Sequence, residues 1–297
     1  MSDRSILLFG AEGQVGWELK RSLSVLGSVL PLTRRDVDLA DSAAVRAAIC
    51  FARPDAIVNA AAYTAVDRAE SERALAQSIN AVAPAAMALE AKAAGIPLVL
   101  FSSDYCYDGT KEAPYVEGDA PNPQSAYGRS KLAGDKAVAA SGAEHLILRT
   151  SWVFAARGDN FLKSILRLAR ERDSLRIVDD QVGAPTSAEL LADVTAHALR
   201  DLLAGRIASG VYHCTAGGAT SWHGYARFIV KQAAQAGLAL ATTPERVEPI
   251  ATEDYPLPAV RPKNSRLDCG KLEAALGLSL PPWQWHVRRT LLELTTP

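Results

Sequence analysis

The chain has 297 residues, 48% of them hydrophobic, and a formal net charge of −1. That is enough apolar material for one large domain or two modest ones, and too little positive charge for a general nucleic-acid binder. Four cysteines, Cys50, Cys106, Cys214 and Cys269, lie far apart with no Cys-x-x-Cys pair; they read as reduced thiols rather than a disulfide framework or a zinc site. The apolar run near the start is too short for a signal peptide and no run is long enough to span a bilayer, so the expected location is cytoplasmic, away from the membrane.

In chain order, buried strands are expected at 5–9, 28–32, 56–58, 97–102 and 145–148. Helices are expected between them at 14–25, 42–52, 70–94 and 124–140. Pro84 lies inside the third helix and should kink or split it, and Gly95-Ile-Pro97 then stops it. This rhythm predicts an α/β protein: a doubly wound, Rossmann-type parallel sheet covered by helices on both faces. Ligands in such a sheet sit beyond the carboxyl ends of the strands, so Gly10, Ala60 to Thr64, Ser103 and Thr150 should share one rim.

After Ser151 the rhythm loosens. Helices are expected at 160–172 and 188–203, strands at 175–178 and 210–214, then a proline-rich tail and a last helix at 283–295. The expected organisation is a dinucleotide-binding domain over 1–150, with 174–216 returning to it. Residues 151–173 and 217–297 then form a smaller C-terminal α/β domain for substrate.

The segment Gly10-Ala-Glu-Gly13-Gln-Val-Gly16 follows the first strand and opens the first helix. Glycines let the backbone turn tightly and approach a phosphate, and the helix N-terminus offers free N–H groups to it. The spacing is G-x-x-G-x-x-G. Strand before and helix after favour a dinucleotide loop over an ordinary turn. The second strand ends Leu32-Thr33-Arg34-Arg35-Asp36, with no carboxylate at its terminus, so NADPH is expected over NADH.

Tyr127-Gly-Arg-Ser-Lys131 puts a tyrosine and a lysine on one helix face. A neighbouring ammonium favours the phenolate, and such a tyrosine can protonate a carbonyl oxygen as hydride reaches its carbon. Ser103, at the end of the fourth strand, could hold that carbonyl beside Tyr127. Ser102 competes, and alternation along a strand lets only one of the two face the site.

Together these motifs resemble the extended short-chain dehydrogenase/reductases. The resembling segments run in order through nearly the whole chain: 7–19 (LLFGAEGQVGWEL), 54–67 (PDAIVNAAAYTAVD), 102–105 (SSDY), 127–134 (YGRSKLAG), 149–154 (RTSWVF), 180–186 (DQVGAPT) and 261–267 (RPKNSRL). The resemblance implies an enzyme that reduces the C4 ketone of a dTDP-4-dehydro-6-deoxyhexose, a nucleotide sugar, with NADPH or NADH. Tyr127 would be the proton donor and Lys131 its tuner and the grip on the nicotinamide ribose. Ser103 stands where the family commonly has threonine. Gly13, Gln14 and Val15 would meet the pyrophosphate, and Asp38 and Leu39 would border the adenine. Ala61, Ala62, Tyr63 and Thr64, with Phe101, would line the nicotinamide side. Tyr63 replaces a common histidine and Phe101 a common tyrosine.

Asp104 and Trp152 would contact substrate. Arg261, with Lys263 and Arg266, could supply charge for its diphosphate, and Trp222 and Tyr225 are further aromatic bodies for its base. Some similar proteins place Mg2+ at a homodimer interface through three glutamates, and Glu18, Glu189 and Glu293 fall on those positions. The same family also holds a non-enzymatic regulatory subunit of methionine adenosyltransferase, and epimerases and dehydratases that recycle their coenzyme. These remain the rival readings.

Overall fold

The computed structural model describes residues 4–295. The first half alternates strand and helix through β1 (Ser5–Phe9), α1 (Gln14–Leu23), β2 (Ser28–Leu32), α2 (Ser42–Ala52) and β3 (Ala56–Asn59). A broken helix follows: α3 (Arg73–Gln77), a π turn at Ser78–Val82 and α4 (Ala83–Ala94). Then come β4 (Leu98–Ser103), α5 (Ala126–Ala140) and β5 (His145–Thr150). The second half contains β6 (Val153–Phe154), α6 (Phe161–Glu171), β7 (Leu175–Val178), β8 (Val182–Gly183), β9 (Thr186–Ser187), α7 (Ala188–Leu203) and β10 (Gly210–His213). It ends with β11 (Thr220–Ser221), α8 (Trp222–Gln235), β12 (Val247–Ile250), α9 (Gly270–Leu276) and α10 (Trp283–Thr295).

Six strands form one parallel sheet in the order β2-β1-β3-β4-β5-β10. This is the doubly wound α/β arrangement expected from the alternation. The strands are buried on both faces, and the pleat sorts their side chains. Ile6, Leu8, Val58, Val99 and Leu148 point into a core shared with α1 and α7. Leu7, Phe9, Ile57, Leu100 and Ile147 point into a second core with α2 and α4. At the β2 edge, Pro31 pairs across from Leu8. The strand order reverses between β1 and β3, which opens a crevice at their carboxyl ends.

One element departs from the sequence pattern, and one breaks as Pro84 leads one to expect. The strand at 175–178 does not join the main sheet; β7 pairs with β12 in a two-stranded piece. The helix expected over 70–94 is split. Pro84 sits in the first turn of α4, where its missing N–H costs nothing, and the π turn takes up the extra residue before it.

Candidate functional site

The glycine loop is built by close backbone approach. Gly10 has φ +81°, and a Cβ there would meet the Ala61 nitrogen at 2.6 Å. A Cβ on Gly16 would fall 2.0 Å from the Gly10 carbonyl oxygen, so α1 can start only against a bare residue. Gly13 is the N-cap of α1 and brings no side-chain cap. The first-turn N–H groups are therefore unspent and the helix end suits an anion. Gln14 is fixed from the second half of the chain: Asn160 Nδ2 donates to its Oε1 at 2.8 Å.

From this loop a cavity of about 640 Å³ runs along the strand ends to α5. Its end at β2 is lined by Thr33, Arg34, Asp38 and Leu39. Asp36 turns back on its own loop, accepting from Thr33 N at 2.8 Å and Thr33 Oγ1 at 2.7 Å, and these bonds hold its carboxyl below the usual range. Arg34 thus borders the cavity while the nearest loop carboxylate is already engaged.

The middle is walled by Ala61, Ala62, Tyr63 and Thr64 after β3. Asn80, on the π turn, fixes this wall: its Oδ1 accepts from Tyr63 N at 2.8 Å, and its Nδ2 donates to Tyr63 O and to Ser130 Oγ, both at 3.0 Å. The Tyr63 hydroxyl points elsewhere, donating to Glu72 at 2.6 Å.

Tyr127 and Lys131 reach the far end from one face of α5, whose N-cap Ser125 accepts from Gly128 N at 3.1 Å. Lys131 Nζ donates to the Phe101 carbonyl at 2.6 Å, and burial pulls its pKa down. Burial pushes the Tyr127 phenol up, a hydrogen bond with Ser103 pulls it back, and Asp104 raises it again. The hydroxyl that meets the Tyr127 phenol is therefore Ser103. Ser103 Oγ also donates to Asp104 Oδ1 at 2.9 Å and accepts from Tyr105 N at 3.2 Å. Both serines are buried; Ser102 lines the cavity wall and Ser103 does not. Asp104 is buried and its Oδ2 has no hydrogen bond of good geometry. Desolvation lifts this carboxyl to about 6, against the pull of the Ser265 and Ser103 hydroxyls.

The remaining candidates stand outside the cavity lining. Gly16 lies behind the loop as a packing residue. Trp152 follows β5 with φ +49°, an uncommon conformation for a bulky residue, and its ring stacks on Trp222 at 3.6 Å. Arg261 donates to Asp67 at 2.7 Å, sits 5.9 Å from the Tyr105 ring centre, and keeps Nη1 buried without a partner. Tyr105 in turn meets Tyr127 edge-on at 5.5 Å. Asn80, Tyr105 and Asp67 were not singled out in the sequence. Asn80 alone carried a signal there, a polar residue amid alanines just before Pro84.

The three glutamates do not assemble a metal site within the chain. Glu18 feels both Glu189 and Glu293, and burial followed by their charge raises its pKa. Yet Glu189 is clamped by Arg289 at 2.8 and 3.1 Å, and Arg21 lies 3.7 Å from Glu18. Among the described residues no three His, Cys, Asp or Glu side chains group closely enough to hold an ion. None of the described helices is long and apolar enough to cross a membrane.

Residues 4–296 match the family described as RmlD substrate binding domain. A dTDP-4-dehydrorhamnose reductase of Burkholderia thailandensis is 50% identical over 95% of this chain and 96% of its own length. Among solved structures, one from Clostridium acetobutylicum, a dTDP-4-dehydrorhamnose reductase, superposes with a TM-score of 0.91 at 35% identity, covering 98% of this chain and all of that one. The Bacillus anthracis enzyme of the same name, solved in complex with NADP, gives 0.89 at 32% identity over 98% and 99% of the two chains.

Proposed function

Since the chain belongs to the family of dTDP-4-dehydrorhamnose reductases, we propose that it reduces the C4 ketone of dTDP-4-dehydro-L-rhamnose to give dTDP-L-rhamnose, with NADPH as the preferred coenzyme. One observation carries the reading: a single cavity joins the bare helix end at Gly13 to Tyr127 and Lys131. Gly10, Gly13, Gln14 and Val15 would cradle the pyrophosphate, where an added Cβ at Gly10 would collide with the backbone. Thr33 and Arg34 would take the phosphate on the adenosine ribose, with Asp38 and Leu39 against the adenine. Ala61, Ala62, Tyr63, Thr64 and Phe101 would border the nicotinamide. The bound coenzyme supplies hydride.

The side chains supply the proton and the orientation. Tyr127 gives its phenolic proton to the ketone oxygen while hydride adds to the carbon, so the alkoxide never forms free. Lys131, seated on the Phe101 carbonyl, brings positive charge beside the phenol and has N–H groups left for the ribose. Ser103 holds Tyr127 in line. Asp104, Trp152 and Arg261 would meet the sugar nucleotide, the Arg261 guanidinium being the group suited to a diphosphate oxygen. In this reading residues 1–150 with the returning α7 and β10 hold coenzyme, and 151–173 with 217–297, joined by β7 and β8, hold substrate. The glutamate set does not fit Mg2+ within one chain, and no step uses a metal.

The test is net oxidation of NADPH with dTDP-4-dehydrorhamnose and identification of the product sugar. One NADPH consumed per sugar reduced is expected, and faster turnover than with NADH. An epimerase or dehydratase would consume none, and a purely regulatory subunit would not turn over. Tyr127→Phe should lower kcat by roughly 10²–10⁴-fold and leave NADPH binding intact.

A further inference from the structure

Beneath Lys131 lies a buried charge network that the proton-transfer scheme leaves unused. Lys131 is 3% exposed, Asp135 2% and Arg149 4%. Asp135 stands one helical turn beyond Lys131 on α5, and its Oδ2 accepts from Arg149 Nε at 3.0 Å. Its Oδ1 is buried with no hydrogen-bond partner. Arg149 Nη1 donates onward to the Tyr107 hydroxyl at 2.8 Å, and that hydroxyl lies 2.8 Å from His213 Nε2. The Cys106 thiol points at Asp135 Oδ2 from 3.7 Å.

Ions held this deep need a reason, because desolvation can exceed their attraction. The groups around Lys131 supply one. The Phe101 carbonyl accepts one of its protons. Burial acts against its charge, and Asp135 is the first group that acts for it, with Cys106 second. Burial pushes the Cys106 thiol up to about 12, so it is neutral at working pH. Tyr127 shares the helix face but is a neutral phenol before reaction, the Asn80–Ser130 pair on the π-turn side is neutral, and Arg149 is paired with Asp135. Arg149 orients Asp135 and leaves it one unspent oxygen.

We infer that Asp135 is a positioning residue for the reduction: its carboxylate, locked by Arg149, is the counter-charge that keeps Lys131 protonated beside Tyr127. The inference rests on the function proposed above. Removing the counter-charge makes Lys131 release its proton at lower pH. Since the charged form is the working form, activity is then lost earlier as pH rises.

The experiment compares kcat at saturating NADPH across pH 6–10 for the wild type, Asp135→Asn, Asp135→Glu and the double variant Asp135→Asn/Arg149→Met. The double variant removes both buried charges together, so neither partner is left as an unpaired buried ion. NADPH binding, read by its fluorescence, is measured over the same range. The alkaline limb of kcat is expected to move down by about one pH unit or more in the variants lacking the carboxylate and to return in Asp135→Glu. NADPH binding should weaken about tenfold more between pH 7 and 9 in the double variant than in the wild type. Either readout staying where the wild type has it, in a double variant shown to be folded by circular dichroism, overturns the inference even if melting temperature falls. Absence of turnover in the wild type would instead count against the function itself.

Discussion

Ser103 has one proton and three neighbours, and its position decides how the site works. It donates to Asp104, accepts from Tyr105 N–H, and bonds the Tyr127 phenol. Ser103→Ala should lower kcat on the order of 10²-fold, while Ser103→Thr keeps the hydroxyl and should stay within a few-fold, both read at fixed NADPH. Asp104 gives a stability prediction. Its folded value of about 6 lies above the usual 3.8. The folded form therefore keeps a proton that the unfolded chain has lost, and stability falls as pH rises through that window. The loss is on the order of 3 kcal/mol. Asp104→Asn should be as stable as the wild type near pH 3.5 and more stable above pH 6, measured by urea unfolding. Sequence alternation showed that Ser102 and Ser103 face opposite ways, and the hydroxyl was legible. The burial of Asp104 was not, because Ser265, which caps its surroundings, comes from the far tail.

Among elements, the strand–loop–helix of β1 and α1 was the most legible, because glycine spacing encodes backbone proximity directly. Gly16→Ala would drive a Cβ into the Gly10 carbonyl. It should weaken NADPH binding at least tenfold and lower the melting temperature, as a fluorescence titration and a thermal melt would show; full binding would mean the helix start can shift. The split between α3 and α4 was half legible. Pro84 announced a break, but proline marks only where a helix restarts. The π turn before it depends on Asn80 finding Tyr63 and Ser130, partners 17 and 50 residues away. Asn80→Ala should raise the KM for NADPH more than it lowers kcat, because it frees the Tyr63 wall without touching Tyr127.

For the whole molecule, the tail beyond α8 returns across the cleft. Asp67, in the loop after β3, accepts from Ala259 N at 3.2 Å and from Arg261 at 2.7 Å, and so ties that return to the coenzyme half. Charge alone pointed to Arg261 as a substrate contact. Its anchor could not be read, since Asp67 lies 194 residues away and looks like any loop acid. Asp67→Ala should raise the KM for the sugar nucleotide about tenfold, with kcat/KM following it and kcat changed less. An unchanged KM would show that the ion pair only fastens the tail.

Pro31 has a consequence for how copies of the chain behave toward each other. A parallel sheet ends in two strands with unpaired backbone groups, which can recruit a stranger's strand. Here β2 carries a proline, which has no N–H to offer a template. On the opposite border, Lys271 Nζ donates to the Val211 carbonyl of β10 at 2.6 Å and covers that acceptor. Both margins are blunted against edge-to-edge aggregation, so crowded copies should meet through side chains and helices instead of a continuing ladder of strands.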